Sequence, residues 1–150
     1  MGQPLILETT FLIDLERENN RGTPGPAMAF LELHEDARLY ITFTIAGELA
    51  AGASLADRAR WEAFLAPFHI LSSNADVSWE YSRAYRYLQD NGLMIGGNDL
   101  WIAATGLAYR MPVVTRNVQH YRRVPGVLVA DYRTDGARPP LSAQGRDSRA

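Results

Sequence analysis

The chain has 150 residues, 47% of them apolar and 21% charged, the balance of one globular domain with a full hydrophobic core. It contains no cysteine, which excludes disulfides, thiolate metal sites and a cysteine nucleophile. All fifteen basic residues are arginines: eight stand against three acids from Arg110 onward and seven against fourteen before it, so a net charge of −2 conceals an acidic body and a basic C-terminal part.

The first apolar run, Leu5–Leu7, suits a buried strand and ends on Glu8. Phe11, Leu12 and Leu15 then recur at helical spacing, predicting a helix from about Thr10 that "RGTPGP" breaks at 21–26. Pro26 suits the first turn of a second helix carrying Met28, Phe30, Leu31 and Leu33. "RLYITF" reads as the second strand, Thr44 as the N-cap of a helix containing Glu48, and Gly52 as its end. Ser54 is the expected cap of the next helix, with Trp61, Phe64 and Leu65 on one face, and "FHIL" is the third strand. A long helix is expected over 75–89, with Trp79 and Tyr85 inward and "DNG" as its stop. "LWIAATGLAY" follows as an apolar helix after "IGGND", then the strand "MPVVT", a loop or short helix at "NVQHYRRV", and a fifth strand at "GVLVA". Residues 134–150 hold little core material beyond Leu141 and read as a flexible tail.

Alternating strands and helices imply an α/β fold with a mainly parallel sheet. No GxGxxG or P-loop follows the first strand, which disfavours a dinucleotide or nucleoside triphosphate ligand. No run of eighteen apolar residues predicts a membrane span, and no basic segment followed by an apolar one predicts a signal peptide. Ile6 stands where an N-myristoylation signal requires Ser or Thr. The expected location is the cytoplasm.

In open parallel sheets, ligands collect at the carboxyl ends of the strands. Glu8 closes the first strand, Glu48 lies in the helix after the second, Asp99 follows a flexible "GGN", and Asn117 stands just past the fourth strand in "VVTRN". Three carboxylates brought together repel, and a hard divalent cation such as magnesium relieves that repulsion while activating a bound water. Each acid also has a plainer role: Glu8 or Asp99 at a helix N-terminus, Glu48 in solvent. Thr9 and Thr115 are placed to hydrogen-bond the carboxylates. Asp14 is expected to face solvent or Arg17, and His34 and His69 to be structural.

The stretches "LILETTFLIDL", "TIAGELAAG", "NDLWIAATGLA" and "VVTRNVQHYRRVPGV" stand in the order and spacing of the PIN-domain family and most resemble VapC-type toxins of bacterial type II toxin–antitoxin systems, from Leu5 to about Tyr132. The resemblance implies a PIN-like three-layer sandwich over residues 1–133, with a mainly parallel central sheet of four or five strands. It implies a magnesium-dependent endoribonuclease, with manganese able to substitute, that cleaves tRNA or rRNA to 5′-phosphate and 3′-hydroxyl ends. It implies a homodimer neutralised by a cognate VapB-type antitoxin. Carried over by position, Glu8, Glu48 and Asp99 would hold the metal, and Asn117 would occupy a fourth, often acidic, place. Arg116, His120, Arg122 and Arg123 would contact RNA, although His120 could instead pack beside Tyr121. The family usually carries aspartate where Glu8 stands, so the site has a longer side chain there and one charge fewer at Asn117. Those departures also suit a non-catalytic PIN-like module that binds RNA or an antitoxin. A small-molecule phosphatase fits less well, since no Asp-x-Asp follows the first strand. The apolar residues of the early helices exceed what one small sheet requires, which points to a dimer with a groove for an amphipathic antitoxin segment.

Overall fold

The structure is a computed structural model that describes residues 2–135. In chain order the elements are β1 (Pro4–Leu7), α1 (Thr9–Arg21), α2 (Pro26–Leu33), β2 (Arg38–Thr42), α3 (Phe43–Ala51), a 3-10 turn (Ala53–Leu55) and α4 (Arg58–Leu65). They continue with β3 (His69–Leu71), α5 (Ala75–Asp90), α6 (Gly97–Tyr109), β4 (Val113–Thr115), α7 (Val118–Arg122), β5 (Val129–Asp131) and α8 (Tyr132–Asp135). Among the described residues no helix is long and apolar enough to cross a membrane.

The strands form one five-stranded sheet in the order β3-β2-β1-β4-β5, and every pairing is parallel. β1 is central: Ile6 pairs with Tyr40 on one side and Val113 on the other. A strand covered by helices on both faces must be apolar at every position. Accordingly Leu5, Ile6 and Leu7, like Val113, Val114 and Thr115, are fully buried. The chain moves outward from β1 through β2 to β3, then returns to the opposite side of β1 to lay down β4. The carboxyl ends of β1 and β4 therefore flank a point where the winding direction reverses, the place where such sheets open a crevice.

Helix junctions follow from single residues. Gly22 ends α1 at φ 69°, a conformation that glycine adopts without a Cβ penalty. The start of α2 borrows its cap from α1: the buried Glu18 carboxylate accepts the backbone N–H groups of Gly25 (2.8 Å), Ala27 (2.9 Å) and Met28 (2.9 Å). Gly106 lets α6 settle close on β4, since a Cβ there would lie 3.1 Å from Val113 Cγ2 and 3.2 Å from the Met111 carbonyl oxygen. That approach seats the whole of α6, including Asp99 in its first turn.

Several expectations are corrected. Thr42, not Thr44, caps α3, because β2 ends at Thr42 and its hydroxyl accepts the Ile45 N–H at 3.2 Å. Thr44 instead buries its hydroxyl oxygen without a partner. Thr42→Ala should therefore cost about 1 kcal/mol of stability, the usual loss of an N-cap, whereas Thr44→Val should be neutral or stabilising because it removes an unsatisfied hydroxyl. Urea unfolding of the two variants distinguishes the caps. Asp57, not Ser54, caps α4 by accepting the Arg60 N–H; Ser54 lies in the 3-10 turn and donates to Glu16 at 2.7 Å. On α5 the buried residues are Val77, Ala84 and Leu88, with Tyr81 half-buried beside them, while Trp79 is 61% exposed and Tyr85 40%. The apolar residues of the early helices mostly enter the chain's own core: Phe11, Leu12, Leu15, Phe30 and Leu65 are buried, and Leu33 remains outside. α8 takes in residues 134 and 135, the first two of the segment expected to be a tail, and the remainder of that segment lies outside the described residues.

Candidate active site

Glu8 stands at the reversal point. Its backbone N–H donates to the Val114 carbonyl at 2.9 Å, extending the β1–β4 ladder by one residue, and its extended backbone makes it the N-cap of α1. Oε2 accepts three donors: the Thr10 N–H (2.9 Å), the Thr10 hydroxyl (2.6 Å) and the Thr115 hydroxyl (2.9 Å). Those hydroxyls are themselves oriented from the β4–α7 junction. The Arg116 N–H donates to Thr10 Oγ1 and the Asn117 N–H to Thr115 Oγ1, each at 2.9 Å, which turns both hydroxyl protons toward Glu8. Oε2 thus carries the capping role, and Oε1 is left to face the Tyr121 hydroxyl. Burial raises the Glu8 carboxyl above its ordinary pKa, the Thr10 and Thr115 hydrogen bonds oppose that, and the charge of Asp99 adds to it.

Glu48 and Asp99 arrive from the helices on either side. α3 carries Glu48, whose Oε1 accepts the Thr9 hydroxyl at 2.7 Å. Asp99 lies in the first turn of α6, where the helix dipole favours an anion. The hydroxyl of Tyr121, a fully buried residue on α7, lies 3.4 Å from Glu8 Oε1 and 3.2 Å from Asp99 Oδ1. Burial drives the Tyr121 phenol far above its usual range, and the charges of Glu8, Asp99 and Glu48 push it further, so it remains a neutral donor. Glu8 and Asp99 thus meet at one hydroxyl, while Glu48 is held by Thr9, the residue next to Glu8. Among the described residues no three His, Asp or Glu side chains are close enough to hold an ion as they lie. The chemistry of the donor set nonetheless suits a hard divalent cation: all-oxygen, anionic, and with Glu8 kept reluctant to ionise by burial and by Asp99.

The remaining expected residues divide. His120 places Nδ1 3.1 Å from Asp99 Oδ2. It also lines a cleft of about 600 Å³ with Arg116, Asn117, Arg122, Asp131 and Arg133. Asn117 meets the carboxylate system through its backbone N–H, while its exposed side chain belongs to the cleft. The Arg116 guanidinium pairs with Asp14 at 3.0 and 3.2 Å, and the Tyr132 hydroxyl bonds the same carboxylate. Asp14, expected to face solvent or Arg17, also pairs with Arg17, at 3.9 Å. Arg123 donates to the carbonyls of Leu93 and Met94 at 3.3 and 3.2 Å, tying down the segment before α6. His34 stacks on Phe30 at 4.1 Å and bonds its carbonyl through Nδ1, and His69 lies against Tyr40.

Sequence reasoning passed over Thr10, Tyr121 and Arg133. Thr10 had a local signal: a hydroxyl two residues past a carboxylate at a strand-to-helix junction is in reach of it. Tyr121 had none, since its contact with Glu8 spans 113 residues.

The PIN domain family model matches residues 5–126. The chain is 26% identical over 105 residues to Ribonuclease VapC2 of Rickettsia felis, covering 67% of this chain and 78% of that protein. Its fold superposes with a TM-score of 0.72 on the crystal structure of VapBC2 from Rickettsia felis bound to a DNA fragment from their promoter, at 25% identity over 85% of this chain and 98% of that one. The structure of VapBC-1 from nontypeable Haemophilus influenzae matches in fold with a TM-score of 0.74, at 24% identity over 87% of this chain and 98% of that one. The reversal point, β2, β3, β4 and most of β1 fall inside the matched span, as do the quoted motifs up to Gly126, and the chain belongs to the PIN-domain family, with VapC proteins among its relatives.

Proposed function

We propose that the chain is a VapC-type toxin: a cytoplasmic, magnesium-dependent endoribonuclease that accepts manganese, cleaves tRNA or rRNA, and is neutralised as a homodimer by a cognate VapB-type antitoxin. The observation that carries this reading is the buried Tyr121 hydroxyl set between Glu8 and Asp99, with Glu48 held by the adjoining Thr9, beside a cleft lined with arginines. Its support from relatives is that they are named ribonucleases and that related structures are VapBC assemblies.

Glu8, Glu48 and Asp99 would hold the metal, which when bound supplies a water of lowered pKa and positive charge on the scissile phosphate. The chain's own residues do the rest. Thr10 and Thr115 fix Glu8 Oε2, Thr9 fixes Glu48, and His120 steadies Asp99 Oδ2. Arg116, Arg122 and Arg133 present planar forks to successive phosphates, in exchange with the acids that now engage Arg116 and Arg133. Asn117 lines the same cleft and offers an uncharged carbonyl there.

The test is to incubate the purified protein with total RNA in magnesium and in EDTA and to sequence the new ends. Discrete new 5′-phosphate ends in magnesium, absent in EDTA, are expected. Retention of RNA with no new ends in either condition would instead identify a binding module.

A further inference from the structure

The Tyr121 hydroxyl touches both Glu8 Oε1 and Asp99 Oδ1, yet it has a single proton to give. Its ring is fully buried and is delivered by α7, the short helix immediately after β4. Core packing does not call for that oxygen. A phenyl ring would occupy nearly the same volume without the cost of desolvating a polar group. The hydroxyl is instead accounted for by the carboxylates it meets.

Glu8 has one more side-chain torsion than an aspartate would have at the same place. Its Oε2 is held by three donors from Thr10 and Thr115, all on the side of α1 and β4. Nothing in that set directs Oε1. The Tyr121 hydroxyl does so, and the same atom faces the inner oxygen of Asp99, whose outer oxygen is taken by His120. One hydroxyl thus stands between the free oxygens of two carboxylates that repel each other and shares its single proton between them.

We propose that Tyr121 is a positioning residue of the metal site: its hydroxyl aims Glu8 Oε1 and Asp99 Oδ1 at a common point and fits the site to the longer side chain at position 8. The inference rests on the metal-dependent reading above. Its part is to meet the ligands' oxygens from outside, as outer groups around metal-binding carboxylates do.

Calorimetric titration of Mn²⁺ into the full chain without RNA, on wild type and Tyr121→Phe, tests it. Thermal unfolding in EDTA is measured alongside. Tyr121→Phe should unfold in EDTA at or above the wild-type temperature and bind Mn²⁺ about 10- to 100-fold more weakly, the usual cost of losing such a partner. In a Glu8→Asp background, where the shorter carboxylate draws away from the hydroxyl, adding Tyr121→Phe should cost less Mn²⁺ affinity than it does in wild type, because only the Asp99 contact is left to lose and the two substitutions are then less than additive. Equal or tighter Mn²⁺ binding by Tyr121→Phe would overturn the role assigned to Tyr121 and leave the metal-dependent reading standing. Failure of the wild type to bind Mn²⁺ at all would overturn both.

Discussion

Glu8→Gln is expected to preserve the fold and to reduce RNA cleavage by at least about 100-fold, the loss that a misplacement of about 1 Å at a reacting centre produces. The amide has the same shape as the carboxylate. It keeps one oxygen to accept from Thr10 or Thr115, so β1, α1 and β4 stay joined. What it loses is the negative charge facing Asp99 and the crevice. A neutral amide would hold magnesium poorly. Glu8→Asp separates geometry from charge. With Thr10, Thr115 and Tyr121 all placed around the longer side chain, shortening it should cost on the order of 100-fold in rate. Cleavage rates and growth arrest on induction, compared across the three proteins, decide the matter; a Glu8→Gln protein as fast as wild type in magnesium would remove Glu8 from the catalytic set.

Glu8 also carries a pH signature. Burial, assisted by the Asp99 charge, holds its carboxyl above the ordinary value of 4.5. Near that pH the folded chain binds a proton that the unfolded chain releases, so this contribution favours folding below pH 4.5 and is lost as pH rises through the raised folded value. Urea unfolding in EDTA at a series of pH values should show stability declining more steeply in wild type than in Glu8→Gln over that window. A steeper decline in the variant would contradict the assignment.

Glu18→Ala is expected to cost about 3 kcal/mol, because three backbone N–H groups at the start of α2 lose a charged acceptor and regain only part of their hydration. For a chain of this size that corresponds to a fall in Tm of roughly 10 °C. Glu18→Gln should lie between wild type and alanine. Its carbonyl can still serve Gly25 and Met28, which share Oε1, but its amide nitrogen then faces the Ala27 N–H, which bonds Oε2. α2 carries none of the candidate site residues, so RNA cleavage well below Tm should be unchanged in both variants. A Tm within about 2 °C of wild type for Glu18→Ala would show that water replaces the carboxylate without loss, against the usual cost of an unsatisfied buried donor.

The element order was legible because strand runs, proline at a first helical turn and glycine at a helix end act within a few residues. The errors have equally local causes. A cap is recognised by an extended backbone ahead of the helix, and Thr42 supplies it while still pairing as the last residue of β2. The hydroxyls of Thr44 and Ser54 look identical in sequence but sit one step inside their turns. On α5, Val77, Tyr81, Ala84 and Leu88 share one helical face, whereas Trp79 and Tyr85, six residues apart, lie about 120° from each other around the helix, so the expected pair could not both point inward.

Sequence alone determined the alternation of strands and helices, and with it the parallel sheet whose first strand ends on Glu8. Those assignments rest on short-range rules of burial, capping and chain direction. Only the tertiary structure decided what surrounds the acids. Tyr121 reaches Glu8 across 113 residues, Arg116 joins Arg17 on Asp14 at a shorter distance, and Arg123 turns to backbone carbonyls before α6. The physical reason is that an ionic or hydroxyl side chain has no periodicity to betray its partner. Its partner is whichever group the packed sheet and helices bring within about 3 Å of it.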